Sequence, residues 1–125
     1  MAAVLAQQIG LYGPAGPMQS EWFPAADKLQ HALGFALPMF GVLTTLDAYA
    51  ARAGRSLRAA WPVAVFAVFA ANAVVSELVQ SRPGSGRTGD PMDAVADLAG
   101  IALGYLAYRA YRRLAPPRPL ERAQP

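Results

Sequence analysis

Ionisable side chains that could bind a ligand or transfer a proton are concentrated in three short stretches of the sequence. We take His31 and Glu77 as acid–base candidates, since a lone histidine near carboxylates can exchange protons around neutral pH. The residues expected to contact a ligand are Asp27, Lys28, Gln80, Arg87, Asp93 and Asp97. The lysine and the arginine would hold an anionic group, and the guanidinium would do so in a bidentate manner. Together with Asp90, these residues suggest one polar site built from three segments.

Each of these residues also has a structural interpretation that competes with the functional one. Asp27 would complement the dipole at the start of a helix, and Asp90 would cap the start of another. Glu77 and Gln80 would form a hydrogen-bonded link between helices. The carboxylates with His31 could instead bind a hard divalent cation, although no spacing in the sequence is diagnostic of a metal site. The sequence identifies no cofactor.

The composition is that of a membrane protein. Of 125 residues, 54% are apolar and only 15% are charged, whereas soluble domains carry roughly 25% charged residues. The absence of cysteine excludes disulfides and thiolate chemistry. The net charge of +3 does not indicate nucleic acid, because the arginines flank apolar runs, as they do in loops between membrane spans.

Three apolar stretches are long enough to cross a bilayer as helices, at about 25–49, 61–80 and 91–108. Residues 1–12 are apolar but short for a ~30 Å hydrocarbon core. They could form a partial span, an interfacial helix or the stub of a first span, and the sequence leaves open whether they cross the membrane. The predicted fold is therefore all-α: a transmembrane helix bundle of three to four helices over residues 1–114. Residues 115–125 form a basic, proline-rich tail.

The distribution of charge orients these spans. Arginines cluster between the first two spans and after the third, so those ends and the C-terminus are predicted to be cytoplasmic. The polar residues then meet at the extracytoplasmic end of the bundle. An unpaired ionised group in hydrocarbon costs at least ~2.5–3.5 kcal/mol. These side chains should therefore face one another around a hydrated pocket, with the acids paired with Lys28 and Arg87.

The polar residues also follow a known pattern. They occur as D-K-x-x-H (Asp27, Lys28, His31), S-E-x-x-Q (Ser76, Glu77, Gln80), P-G-x-x-R (Pro83, Gly84, Arg87) and D-x-x-x-D-x-x-G-x-x-x-G (Asp93, Asp97, Gly100, Gly104). In this order they resemble the VanZ-like family of small integral membrane proteins, over roughly Asp27 to Gly104. Asp97 departs from the family, which usually has asparagine there. The short stretch over 1–12 departs from the full first span that the family often has.

The resemblance implies a role in the cell envelope, because the founding member of the family is associated with low-level resistance to teicoplanin. We expect a multi-pass protein of the cell membrane that binds or processes an anionic envelope component, and whether it is an enzyme stays open. The alternative is a non-enzymatic helper or assembly subunit whose polar cluster is structural. A proton- or ion-coupled transporter is a weaker hypothesis, because three or four helices offer little room for a transport pathway unless the protein forms a homo-oligomer. The expected partners are the lipid bilayer and the envelope ligand.

Overall fold

The protein is all-helical in the part of the chain that the structure describes. A computed structural model describes residues 26–82 and 90–115, together with Val4 and Ile9. These residues form α1 (Ala26–Arg52), α2 (Ala60–Gln80) and α3 (Pro91–Leu114), with no strand among them. This confirms the all-α prediction.

Several predictions fall outside the described residues. They concern the rest of the stretch over 1–12, the loop that contains Arg87, and the tail from residue 116 onward. The fourth helix of the predicted bundle therefore stays a prediction, as does a role for Arg87.

Local signals in the sequence account for the helix ends. The Asp90 side chain accepts a hydrogen bond from the Met92 backbone N–H at 2.9 Å, and Pro91 occupies the first turn, as predicted for the start of α3. Asp27 lies in the first turn of α1, where a negative charge complements the helix dipole. Gly54 follows α1 with a φ of 68°, a left-handed conformation that favours glycine and reverses the chain.

Two helices are long and apolar enough to cross a membrane, namely α1 from Asp27 and α2. Only 22% of the most apolar part of each is buried within the molecule, whereas the core helix of a soluble protein would be mostly buried. Large apolar side chains such as Leu37 and Val68 are exposed instead, which is consistent with contact to lipid. Among the described helices α3 is less apolar, because Asp93 and Asp97 lie within its apolar run, so the third span predicted over 91–108 stays a prediction.

Close contact between α1 and α3 dominates the packing. Gly100 and Gly104 of α3 lie directly against the backbone of Ala32 and Ala36 in α1. Glycines four residues apart let two helix backbones approach closely, which is the role that the G-x-x-x-G spacing indicates. Around this contact the buried apolar residues come from all three helices: Phe35, Met39, Leu43, Val65, Phe69, Ala73, Ile101 and Tyr108.

An ion pair joins α1 and α3 at the end of the bundle opposite to the polar residues. Asp47 of α1 is fully buried, and its carboxylate accepts a hydrogen bond from the Arg112 guanidinium at 2.5 Å. Phe40 and Tyr111 also join these two helices and pack edge to face, with ring centroids 6.1 Å apart. The two helices run parallel and are linked at both ends.

Candidate functional site

The helix directions bring the predicted polar residues to one end of the bundle. Since α1 and α3 are parallel, the start of each helix lies at this end, and hydrogen bonds join Lys28 to Asp93 and His31 to Asp97. Helix α2 runs between them in sequence and ends at Gln80, which is buried. The structure therefore places the start of α1, the end of α2 and the start of α3 together, and a ligand pocket among them stays a prediction.

Lys28 links the first turns of α1 and α3. Its ammonium donates to Asp90 at 2.5 Å and to Asp93, and it lies 3.5 Å from Asp27. The lysine is one-third exposed and Asp93 is nearly buried, so the pair with Asp93 is better shielded from solvent than the pair with Asp27. The predicted anion-holding group is thus already surrounded by carboxylates.

The charge of Lys28 also affects Asp90, which lies outside the apolar spans. The hydrogen bond from the ammonium, followed by the one from the Met92 backbone N–H, holds the pKa of the Asp90 carboxyl below its usual range. Asp90 therefore caps α3 as a carboxylate and also contributes a charge to the cluster.

His31 and Asp97 form a partly buried pair between α1 and α3. The Nδ1 atom of His31 lies 2.9 Å from Oδ1 of Asp97, whose side chain is fully buried. With Nδ1 donating to this carboxylate, Nε2 faces Asp93 at 3.6 Å and Asp27 at 3.9 Å. A histidine whose ring is oriented in this way can accept or donate a proton at Nε2, or coordinate a metal there.

Glu77 brings a further carboxylate to this cluster from α2. It is half-buried, and Asp93, His31 and Asp97 lie close enough to interact with it electrostatically. The preceding residue, Ser76, is buried and donates its hydroxyl to the carbonyl of Ala73 at 2.8 Å. Glu77 is therefore held on an ordered helical turn that faces the cluster.

Two carboxylate oxygens in this cluster lack hydrogen-bond partners among the described residues: Oε1 of Glu77 and Oδ2 of Asp97. Both atoms are buried. Buried polar atoms in folded proteins are nearly always paired, and leaving one unpaired costs roughly 1–3 kcal/mol. Because leaving these two oxygens unpaired is unfavourable for folding, their presence suggests a function.

The described part of the cluster is acidic. It contains five carboxylates, against one ammonium and one imidazole: Asp27, Glu77, Asp90, Asp93, Asp97, Lys28 and His31. A net negative charge of this kind attracts protons and cations, and an anion would need an additional positive charge to bind here. Arg87, the predicted source of that charge, lies outside the described residues.

The sequence did not indicate which partners pair within the cluster. His31 and Asp97 each lie about one and a half turns into their helices, so their equal depth was the available signal. For Asp47 and Arg112 the corresponding signal was their position near the other ends of the same two helices. Residues at equal depth meet here because α1 and α3 pack closely at Gly100.

No family model, curated protein or solved structure matches this chain. The VanZ-like resemblance therefore rests on the motifs themselves and on their order in the sequence.

Proposed function

We propose that this chain is a multi-pass membrane protein of the VanZ-like type whose extracytoplasmic polar cluster binds or processes an anionic component of the cell envelope. The motifs of the resemblance are the residues that form the cluster. The arginines at the opposite end of the bundle support an orientation in which the cluster faces outward.

A third membrane crossing by α3 is part of this proposal. The two aspartates that reduce its apolar character, Asp93 and Asp97, are buried against α1 and do not face lipid. Its outer surface carries Val95, Leu103 and Leu106, all exposed. With the acids shielded in this way, α3 presents mainly apolar side chains to a bilayer, which avoids most of the cost of charge in hydrocarbon.

The observation that carries the proposal is the His31–Asp97 pair beside Glu77, with one buried, unpaired oxygen on each carboxylate. His31, oriented through Nδ1, would exchange a proton at Nε2, and Glu77 would act as the second acid–base group. Strained or unsatisfied groups that persist in a folded protein are concentrated at functional sites.

Glycopeptide susceptibility of a strain that expresses the protein tests this function. We expect Glu77→Gln and His31→Gln to return susceptibility to that of cells without the protein, at equal expression and equal thermal stability in detergent. The matched control is Glu121→Gln in the predicted tail, which should behave like the unaltered protein. Wild-type susceptibility in both site variants would refute the proposed function.

A non-enzymatic assembly subunit is the second candidate, and the ion pairs of Lys28 favour it. They join α1 to α3 through Asp90 and Asp93, as Asp47 and Arg112 do at the other end. On this view Glu77→Gln and Asp93→Asn would act only through folding. Loss of the resistance phenotype in Glu77→Gln without loss of folded yield would therefore argue against it.

A further inference from the structure

Three potential metal-ligand atoms converge at the start of α1 and α3. They belong to Asp27, His31 and Asp93, and all lie within 4.8 Å of one another. The Nε2 atom of His31 is 3.6 Å from Asp93 Oδ2 and 3.9 Å from Asp27 Oδ1. Two ligands at ~2.0–2.1 Å from a tetrahedral metal ion lie about 3.4 Å apart, so small side-chain movements would complete such a site.

Asp97 supplies an independent indication of a ligand. It is fully buried, its Oδ1 contacts the ring of His31, and its Oδ2 has no partner among the described residues. A histidine that coordinates a metal through one nitrogen almost always donates its other N–H to a carboxylate or carbonyl. Asp97 occupies that position at Nδ1, which leaves Nε2 directed toward the two other carboxylates.

We propose that Asp27, His31 and Asp93 bind a divalent transition metal ion, with Zn²⁺ as the expected ion. The mixture of one imidazole nitrogen with carboxylate oxygens suits Zn²⁺, whereas Mg²⁺ and Ca²⁺ prefer oxygen alone. Three protein ligands leave a fourth position open, as in catalytic zinc sites. Asp27 is the most exposed of the three, so this position lies toward the outside of the bundle.

Lys28 is compatible with this site. Its ammonium contacts Oδ1 of Asp93, whereas Oδ2 of the same carboxylate faces His31. The lysine and the metal ion would therefore use different oxygens of Asp93. The lysine then holds α3 in the position that brings the second oxygen to the ion.

A bound cation would also resolve the charge conflict in the proposed function. The cluster is acidic, yet the ligand proposed for it is anionic. A divalent ion at Asp27, His31 and Asp93 would bridge the two by coordinating the phosphate or carboxylate of the ligand at its open position. The identity of the bridged ligand rests on the proposed function, but metal binding can be measured without it.

The lone histidine makes the test specific. Full-length protein with a histidine-free affinity tag is purified in detergent, stripped of metal with a chelator, and labelled with ¹⁵N at histidine. The imidazole resonances of His31 are then followed by NMR while Zn²⁺ is added. We expect the Nε2 resonance to move to a new position at one Zn²⁺ per protein, with Nδ1 remaining protonated. An Nε2 resonance that Zn²⁺ leaves unchanged, or a shift centred on Nδ1, would overturn the proposal.

Zn²⁺ affinity in variants tests the other residues. Asp27→Asn and Asp93→Asn should abolish stoichiometric binding, and Asp97→Asn should weaken it by about 10–100-fold, as is typical when a carboxylate behind a ligating histidine is lost. Asp47→Asn is the matched control, because it removes a buried carboxylate of α1 at the opposite end and should bind Zn²⁺ like the unaltered protein. Equal weakening in that control and in Asp93→Asn would refute the assignment.

The two proposals can fail separately. If Zn²⁺ moves the Nε2 resonance but Glu77→Gln and His31→Gln retain wild-type glycopeptide susceptibility, the metal site stands and the proposed function falls. If both variants abolish resistance but Zn²⁺ leaves Nε2 unchanged, the function stands and the metal site is wrong.

Discussion

Replacing Gly100 by alanine should push α1 and α3 apart. A Cβ at this position would lie 2.8 Å from the carbonyl carbon and 2.9 Å from Cα of Ala32, and closer still to the carbonyl oxygen. Carbon atoms in favourable contact are ~3.5–4.0 Å apart, so the helices would have to separate by up to about 1 Å. The obstacle is backbone, which cannot rotate away as a side chain can.

The expected loss of stability in Gly100→Ala is best measured against Gly34→Ala in α1. A Cβ at Gly34 meets nothing within 4 Å, so that variant should only gain the higher helix propensity of alanine, up to about 1 kcal/mol. Gly100→Ala has the same gain in propensity but adds the cost of overpacking, typically 1–3 kcal/mol. The free energy of unfolding of the two variants should therefore differ by about 1–3 kcal/mol, with Gly100→Ala the less stable.

Unfolding of purified variants by SDS, followed by far-UV circular dichroism, measures this difference. His31 directly precedes Ala32, and Asp97 lies about one turn before Gly100. Gly100→Ala should therefore also disturb the His31 resonances, whereas Gly34→Ala should not. Equal stability of the two variants, together with unchanged His31 signals in both, would show that α1 and α3 do not pack through this glycine.

Three other perturbations have expected outcomes. Asp47→Asn should lower the free energy of unfolding by about 1–3 kcal/mol, because it leaves Arg112 without its carboxylate. The loss should be smaller than for a fully buried pair, since the arginine is one-third exposed. A double-mutant cycle with Arg112→Gln that gives no coupling energy would contradict this. Lys28 lowers the pKa of Asp90, so the contribution of Asp90 to stability is present above its unfolded pKa of 3.8 and is lost as pH falls through its lower folded pKa. Asp90→Asn should therefore make melting temperature depend less steeply on pH in the acid range. An unchanged acid dependence would refute this linkage. Glu77→Gln should leave stability unchanged or raise it by up to about 1 kcal/mol in thermal melts, because it removes a charge with a buried, unpaired oxygen; a marked loss of stability would indicate a structural role.

The helices could be predicted because their signals are local. The start of α3 follows from Asp90 and Pro91, and the apolar runs of α1 and α2 identify two candidate spans without reference to the rest of the chain. The meeting of three polar helix ends also follows from the number of predicted membrane crossings between them. These inferences need only the order of the segments and the sign of their charges.

The pairings within the cluster could not be predicted in the same way. The contacts of Lys28 with Asp93 and of His31 with Asp97 join residues about 65 positions apart, and they depend on the relative rotation and depth of two helices. The sequence predicts both that Lys28 pairs with the acids and that it holds an anion, but it does not indicate which carboxylates are its partners. In the structure its nearest charges are carboxylates, so the lysine acts first as a link between helices.

The division of the site between two tightly packed helices and a third helix has a consequence for its chemistry. His31 and Asp97 lie on α1 and α3, whose contact is fixed by Gly100 and by ion pairs at both ends. Glu77 lies on α2, which packs less closely against the other two helices than they pack against each other. A small shift of α2 would therefore move Glu77 relative to the histidine without breaking the His31–Asp97 pair. In this arrangement the contacts of the histidine would persist while its distance from Glu77 changes.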